Sequence, residues 1–545
     1  MKKLLFITML LVGGNVFSQQ DAWVYFSDKQ NVQFYLDNPL EMLSQRALDR
    51  RTAQNIPLDF LDVPITQSYV VQVEAAAGVN VMAQSKWLNA VHVRGSQISI
   101  NGLSSLPFVS AIDFADDALD SNSDKKKSRT NSDEEAFSSN MNHKVWDVQA
   151  NFDYGNSANQ IQMLNGHLLH QQDFTGAGKI IAVLDAGFPN VDSAQPFQRL
   201  WDNNLILGGY NFVDDNDDIF TRNNHGTMVL STMGGYTEGQ LVGTAPDAQY
   251  YLFITEAIEY ENPLEESLWV EAAERADSLG VDVINTSLGY PAYDNPNYDY
   301  AYEERNGTKA FITRGADIAF TRGMVVVVSA GNEGQSPDNH ISVPADGFNV
   351  LSIGAVTSTE NYAAFSSIGP TVDGRVKPDV VAKGQNAVIS NTAGDITTAN
   401  GTSFSGPIIA GMVATFWSAV PNLTNQQVVD FIRQSADLYN NPTPQKGYGV
   451  PDFNLALQNA LSVSQPQKDG FIVWPNPVTN TINIKFPDQA SSATLEVYNN
   501  LGQIVMSKTL DLEQPNVDCS SLSSGIYVYS VSTANGKQTG KFIKS

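Results

Sequence analysis

Between residues 179 and 356 the chain alternates short, almost wholly apolar runs with amphipathic stretches. The runs Lys179–Leu184, Tyr250–Ile254, Val281–Asn285, Met324–Ser329 and Val350–Val356 predict strands. Between the second and third, Leu268, Ala272, Ala276 and Leu279 mark one face of a helix over Glu265–Leu279. Apolar strands separated by helices predict an α/β fold, a doubly wound parallel sheet covered on both faces. Ligands of such sheets bind beyond the carboxyl ends of the strands, so chemistry is expected there.

The flanks read differently. Residues 21–115 suggest a small α/β unit, with strands over Ala22–Phe26 and Tyr69–Val73 and a helix over Pro39–Arg51. Ser121–Asn140 is rich in Ser, Asp, Lys and Asn, the composition of a solvated linker open to proteolysis. After Ser462–Asp469, the alternation in Thr481–Phe486, Ala493–Tyr498 and Ile526–Val531 predicts a small antiparallel β-sandwich.

Composition narrows the partners. The 58 acidic and 32 basic residues give a formal net charge of -26, which repels phosphate backbones and argues against nucleic acid. Lys2-Lys3, the apolar run Leu4–Val12 and the small Val16 and Ser18 read as a signal peptide over residues 1–18. No later apolar run suits a membrane helix. Cys519 is the only cysteine, so no internal disulfide is available, and a buried apolar role is expected for it.

Four polar residues fall where the sheet would present them. Asp185 follows the strand Lys179–Leu184, and His225 opens a helix-like run in Asn224-His225-Gly226-Thr227. Ser403 stands in Gly401-Thr402-Ser403-Phe404 before a helix expected over Ile408–Val420, with Pro407 in its first turn. Asn332 follows the strand Met324–Ser329. Each has a structural alternative: Asp185 as a strand-end cap, His225 as a surface histidine, Ser403 as an N-cap.

Taken together, in the order Asp, His, Ser, these segments resemble the subtilisin-like serine peptidase family over about Tyr154 to Leu461. Ile284–Gly289, Phe365–Pro370 and Lys377–Ala382 are similar to further signatures of that family. The resemblance implies a serine endopeptidase with Asp185, His225 and Ser403 as its triad and Asn332 as an oxyanion donor. It implies that Ser287, Leu288, Gly289, Ser329, Ala330 and Gly331 wall the substrate pocket. Small, largely uncharged walls suggest an apolar or medium-sized side chain before the scissile bond. Departures are Ala186 where Ser or Thr is common, Met228 where His is common, and Phe404-Ser405-Gly406 after the serine.

No cofactor is required for such chemistry, but calcium is common in the family. Asp214, Asp215, Asp217 and Asp218 offer oxygen ligands suited to it, and a solvated acidic loop accounts for them equally well. Residues 471–545 resemble the C-terminal sorting domain of the type IX secretion route, through Trp474-Pro475-Asn476-Pro477, Glu496–Gln503, Ser524–Tyr527 and Lys541–Lys544. The alternative there is a carbohydrate-binding or adhesive sandwich.

The expected organisation is a signal peptide (1–18), a pro-domain (19–120), a linker and processing region (121–150), a peptidase domain (151–462), a linker (463–470) and a sorting sandwich (471–545). Expected partners are protein or peptide substrates, the chain's own pro-domain as intramolecular inhibitor, and the type IX secretion machinery. The implied destination is the cell surface or medium, reached through periplasm and outer membrane.

Overall fold

In the computed structural model, residues 19–120, 152–462 and most of 471–544 are described. The expected signal peptide, processing region and second linker lie outside the described residues, as do Pro475, Asn476, Asn500 and Leu501. The chain forms two units, one reaching to Ala460 and one beginning at Leu461.

The N-terminal part carries antiparallel strands β1 (Gln20–Phe26), β2 (Val79–Ser85), β3 (Ala90–Gly95) and β4 (Val109–Phe114), in the order β2-β3-β1-β4. Four α-helices accompany them, of which the two longest are α1 (Gln45–Ala53) and α2 (Gln67–Glu74). The strand expected at Tyr69–Val73 is therefore helical. Val70 and Val73 are buried while Val71 is exposed, a helical spacing that the β-branched composition disguises. The helix expected over Pro39–Arg51 is broken: a 3-10 turn spans Pro39–Glu41, and α1 starts after Ser44, whose hydroxyl caps Ala47 N–H.

The period of two along β1 divides its side chains between two cores. Ala22, Val24 and Phe26 pack inside the N-terminal unit, whereas Trp23 joins Trp87 and Ala90 in a cluster shared with the central domain that follows.

Seven strands build the central parallel sheet: β5 (Ile180–Asp185), β6 (Ile206–Asn211), β7 (Gln249–Ile254), β8 (Val283–Thr286), β9 (Val325–Ser329), β10 (Leu351–Val356) and β11 (Val380–Lys383). Their order is β11-β10-β9-β8-β5-β7-β6. The five predicted strands are all present. β6 and β11 escaped prediction because Gly208-Gly209 reads as a turn and Val380–Lys383 is short. Alternate residues of β5 face opposite layers. Ile181 and Val183 meet α3 (His225–Gly234) and α6 (Thr402–Ala419), while Ile180, Ala182 and Leu184 meet α4 (Leu264–Leu279) and α5 (Phe311–Thr321).

Helix α6 begins at Thr402, not near Ile408, so Pro407 lies inside it rather than in its first turn. The carbonyl that residue 407 would normally engage, that of Ser403, accepts the Ser287 hydroxyl at 3.0 Å instead.

The C-terminal unit has a three-stranded and a four-stranded antiparallel sheet around a shared core that includes Ile482, Leu495, Val531 and Phe542. Cys519 is fully buried in that core. Among the described residues, no helix is long and apolar enough to cross a membrane.

Candidate active site

The sheet reverses its build direction at β5, which has β7 on one side and β8 on the other. Asp185 is the last residue of β5 and is fully buried. Its Oδ1 accepts the Ala186 N–H and lies 2.8 Å from His225 Nδ1, while Oδ2 has no partner. His225 is the first residue of α3, and its side chain keeps 29% of its exposure. Burial works against the imidazolium, but the Asp185 charge and hydrogen bond outweigh it and lift the His225 pKa above its ordinary value.

Ser403 is half-buried in the first turn of α6, where backbone N–H groups have no helical acceptor. The neighbouring Phe404 ring lies 5.9 Å from the His225 ring. Among the described residues, the hydrogen-bond partner of the His225 ring is Asp185 and not Ser403 Oγ. Asn332 arrives from the end of β9. Its Oδ1 accepts both the N–H (2.9 Å) and the hydroxyl (3.1 Å) of Thr402, which leaves the amide NH2 as the free donor.

Of the expected pocket residues, Ser287, Ser329 and Gly331 hydrogen-bond to the same helix. Ser329 Oγ donates to Thr402 O at 2.9 Å, and Ser287 also accepts from Asn285 Nδ2 at 3.1 Å. Gly331 has φ +110°, and a Cβ there would lie 2.5 Å from Glu333 Oε2. Sequence reasoning passed over Glu333, although it directly follows Asn332; its carboxylate accepts the Ser367 hydroxyl at 2.8 Å. It also passed over Thr402, which fixes the Asn332 amide, although that residue stands within the Ser403 motif.

The four loop aspartates do not form one ligand set. Asp214 is engaged by Arg222 and by Asn211, and the Arg222 hydrogen bonds hold its pKa below the usual value. Asp215 accepts the Tyr210 hydroxyl. A calcium ion there would have to draw Asp214 away from Arg222. Among the described residues, the group of three acidic side chains that does converge is Glu256, Glu261 and Glu265, within 4.8 Å. Full burial raises Glu265 to about 8, with the Glu261 charge adding; Glu261 is itself exposed, and partial desolvation with the charge of Asp294 raises it to about 7.

Residues 176–450 match the Subtilase family. The chain belongs to that family. Residues 21–133 match the Peptidase S8 propeptide domain of Bacteroidota, and residues 472–545 match the secretion system C-terminal sorting domain. Similar subtilases include Subtilisin NAT of Bacillus subtilis subsp. natto, 31% identical over 52% of this chain and 66% of that protein. The subtilisin of Bacillus pumilus is 31% identical over 55% of this chain and 98% of its own length. The chain thus spans just under two thirds of the first of these relatives and nearly all of the second. Among solved structures, MycP1 from Mycobacterium smegmatis aligns with a TM-score of 0.45 and 23% identity, over 57% of this chain and 86% of that one.

Proposed function

We propose that this subtilase is a serine endopeptidase made as a zymogen. Ser403 Oγ attacks the scissile carbonyl while His225 takes its proton, and an acyl-enzyme forms as His225 returns that proton to the leaving amine. Water then attacks the acyl group by the same route, releasing the acid and restoring Ser403. Asp185 holds the imidazole through Nδ1 and stabilises its cation. The Asn332 amide and the Ser403 N–H receive the oxyanion.

The observation that carries the reading is the 2.8 Å contact of His225 with a fully buried Asp185, beside the helix whose first turn bears Ser403. The steps use side chains and backbone alone, and a structural calcium has no part in them. Residues 19–120 act as the inhibitor, and residues 471–545 direct export across the outer membrane through the type IX route.

One experiment addresses activity and maturation together. Wild-type and Ser403→Ala proteins are incubated with a peptide library, and the N-terminus of each is sequenced. Wild type is expected to cleave peptides and lose its N-terminal segment; Ser403→Ala should do neither. Near-normal hydrolysis by the variant overturns the assignment. Deletion of residues 471–545 should leave an active protease in the periplasm, and normal export of that truncation refutes the sorting role.

A further inference from the structure

The N-terminal unit also touches the peptidase domain far from the cleft. Strands β5, β8 and β9 are parallel and end at the site, so Gly178, Gly280 and Gly323, which precede them, mark the opposite end of the sheet. Helix α1 lies against that end. Ser44 N–H donates to Ser278 O at 2.8 Å, and Arg46 Nε donates to Gly280 O at 3.0 Å. Gln54 donates to Gly323 O at 2.8 Å and accepts the Asn425 N–H at 2.9 Å.

Beneath these contacts runs a buried ionic group. Arg50 donates to the Val281 carbonyl and to Asp277, and Arg51 bridges Asp277 and Asp62, each at 2.8 Å. Asp62 and Asp277 are fully buried, and Arg51 is 2% exposed. Arg322 of the peptidase domain closes the group on Asp59 and Asp62. The receiving surface is bare where the helix approaches. A Cβ on Gly280 would lie 2.8 Å from Arg46 Cγ, and one on Gly323 would lie 2.9 Å from Gln54 Nε2.

We propose that this base is a docking site in its own right, which takes the arginine-bearing segment 44–62 of the same chain and retains the N-terminal unit after the connection is cut. The idea rests on residues 121–150 being the processing region. A cut there leaves both sides of every basal ion pair in place. Substrate entering the cleft meets none of the contacts at the base, which lie at the other end of the sheet. Separation requires Arg50 and Arg51 to leave Asp277 together, so that both ion pairs break in one step.

The test uses full-length Ser403→Ala protein with a recognition sequence for an unrelated protease placed in 121–150. Nicking is then independent of this enzyme's own catalysis, so loss of the functional reading and loss of this one are separable. After nicking and size-exclusion chromatography, the two fragments are expected to co-elute, even in about 1 M NaCl, where exposed charges are screened within about 3 Å. Arg51→Ala should release the N-terminal fragment roughly tenfold faster or more. Should that variant not fold, Gln54→Ala and Arg46→Ala, at the rim of the contact, are expected to quicken release about threefold. Separation of the unmutated fragments during the run overturns the proposal, as does retention that none of the three substitutions alters.

Discussion

The Ser287 hydroxyl donates to the carbonyl of Ser403 at 3.0 Å, the carbonyl that Pro407 leaves without a helical donor. A residue of the expected substrate wall thus completes the helix that carries the expected nucleophile. Ser287→Ala should strand that carbonyl and destabilise the fold by about 1–3 kcal/mol. Denaturant unfolding in a Ser403→Ala background, which avoids self-digestion, checks it; an unchanged midpoint would remove the coupling.

The pH dependence follows from Asp185. Since His225 is raised above 6.5, its neutral form gathers only at higher pH, and kcat/KM should climb along a limb centred above that value. Asp185→Asn should move the limb to lower pH and reduce the plateau about 10⁴-fold. The same raised pKa contributes stability that is complete below 6.5 and fades as pH rises through the folded value. Rate profiles of both proteins against one peptide decide the matter.

Asn332→Ala should cut kcat about 10²–10³-fold with little change in KM, because the amide meets charge that develops only in the transition state. Thr402→Val keeps the N–H but loses the hydroxyl that holds Asn332 Oδ1, so a smaller fall in the same parameter is expected. A rise in KM alone would assign Asn332 to ground-state binding.

Specificity before the scissile bond should favour apolar or medium-sized side chains, with the Glu333 carboxylate set against Gly331. Glu333→Gln is expected to leave cleavage after Leu within about threefold while lowering residual cleavage after Lys about tenfold. A wild-type profile dominated by Lys or Arg would contradict the first half.

The convergent glutamates carry a stability signature. Glu261 is raised from 4.5 to about 7, so the folded protein holds that proton more tightly than the unfolded chain. Stability should therefore fall as pH rises from 4.5 to about 7. Glu261→Gln should flatten that decline without changing stability below 4.5, as read by Tm across the window in the Ser403→Ala background.

Much of this arrangement is legible in the sequence because it is local. The strand runs declare themselves by apolar composition, and the motifs around Asp185, His225, Ser403 and Asn332 lie at strand ends and helix starts. The structure brings Asp185 and His225 together, and ties Asn332 to Thr402 beside Ser403. What stayed hidden is non-local or locally ambiguous. Val70 and Val73 look like strand residues until their shared burial is seen, and Gly208-Gly209 breaks the apolar run of β6. Arg51 and Asp277 are far apart in sequence and carry no periodic mark of their meeting. The Pro407 position could be judged only once the start of α6 was known.

The shared core beneath β1 has an optical consequence. Trp23 and Trp87 are 5% and 2% exposed, and they owe this to packing among residues of the peptidase domain such as Trp269 and Phe311. Any departure of the N-terminal unit would bring both indoles into water and shift their emission to longer wavelength. The chain carries its own fluorescent gauge of whether the N-terminal unit is still seated.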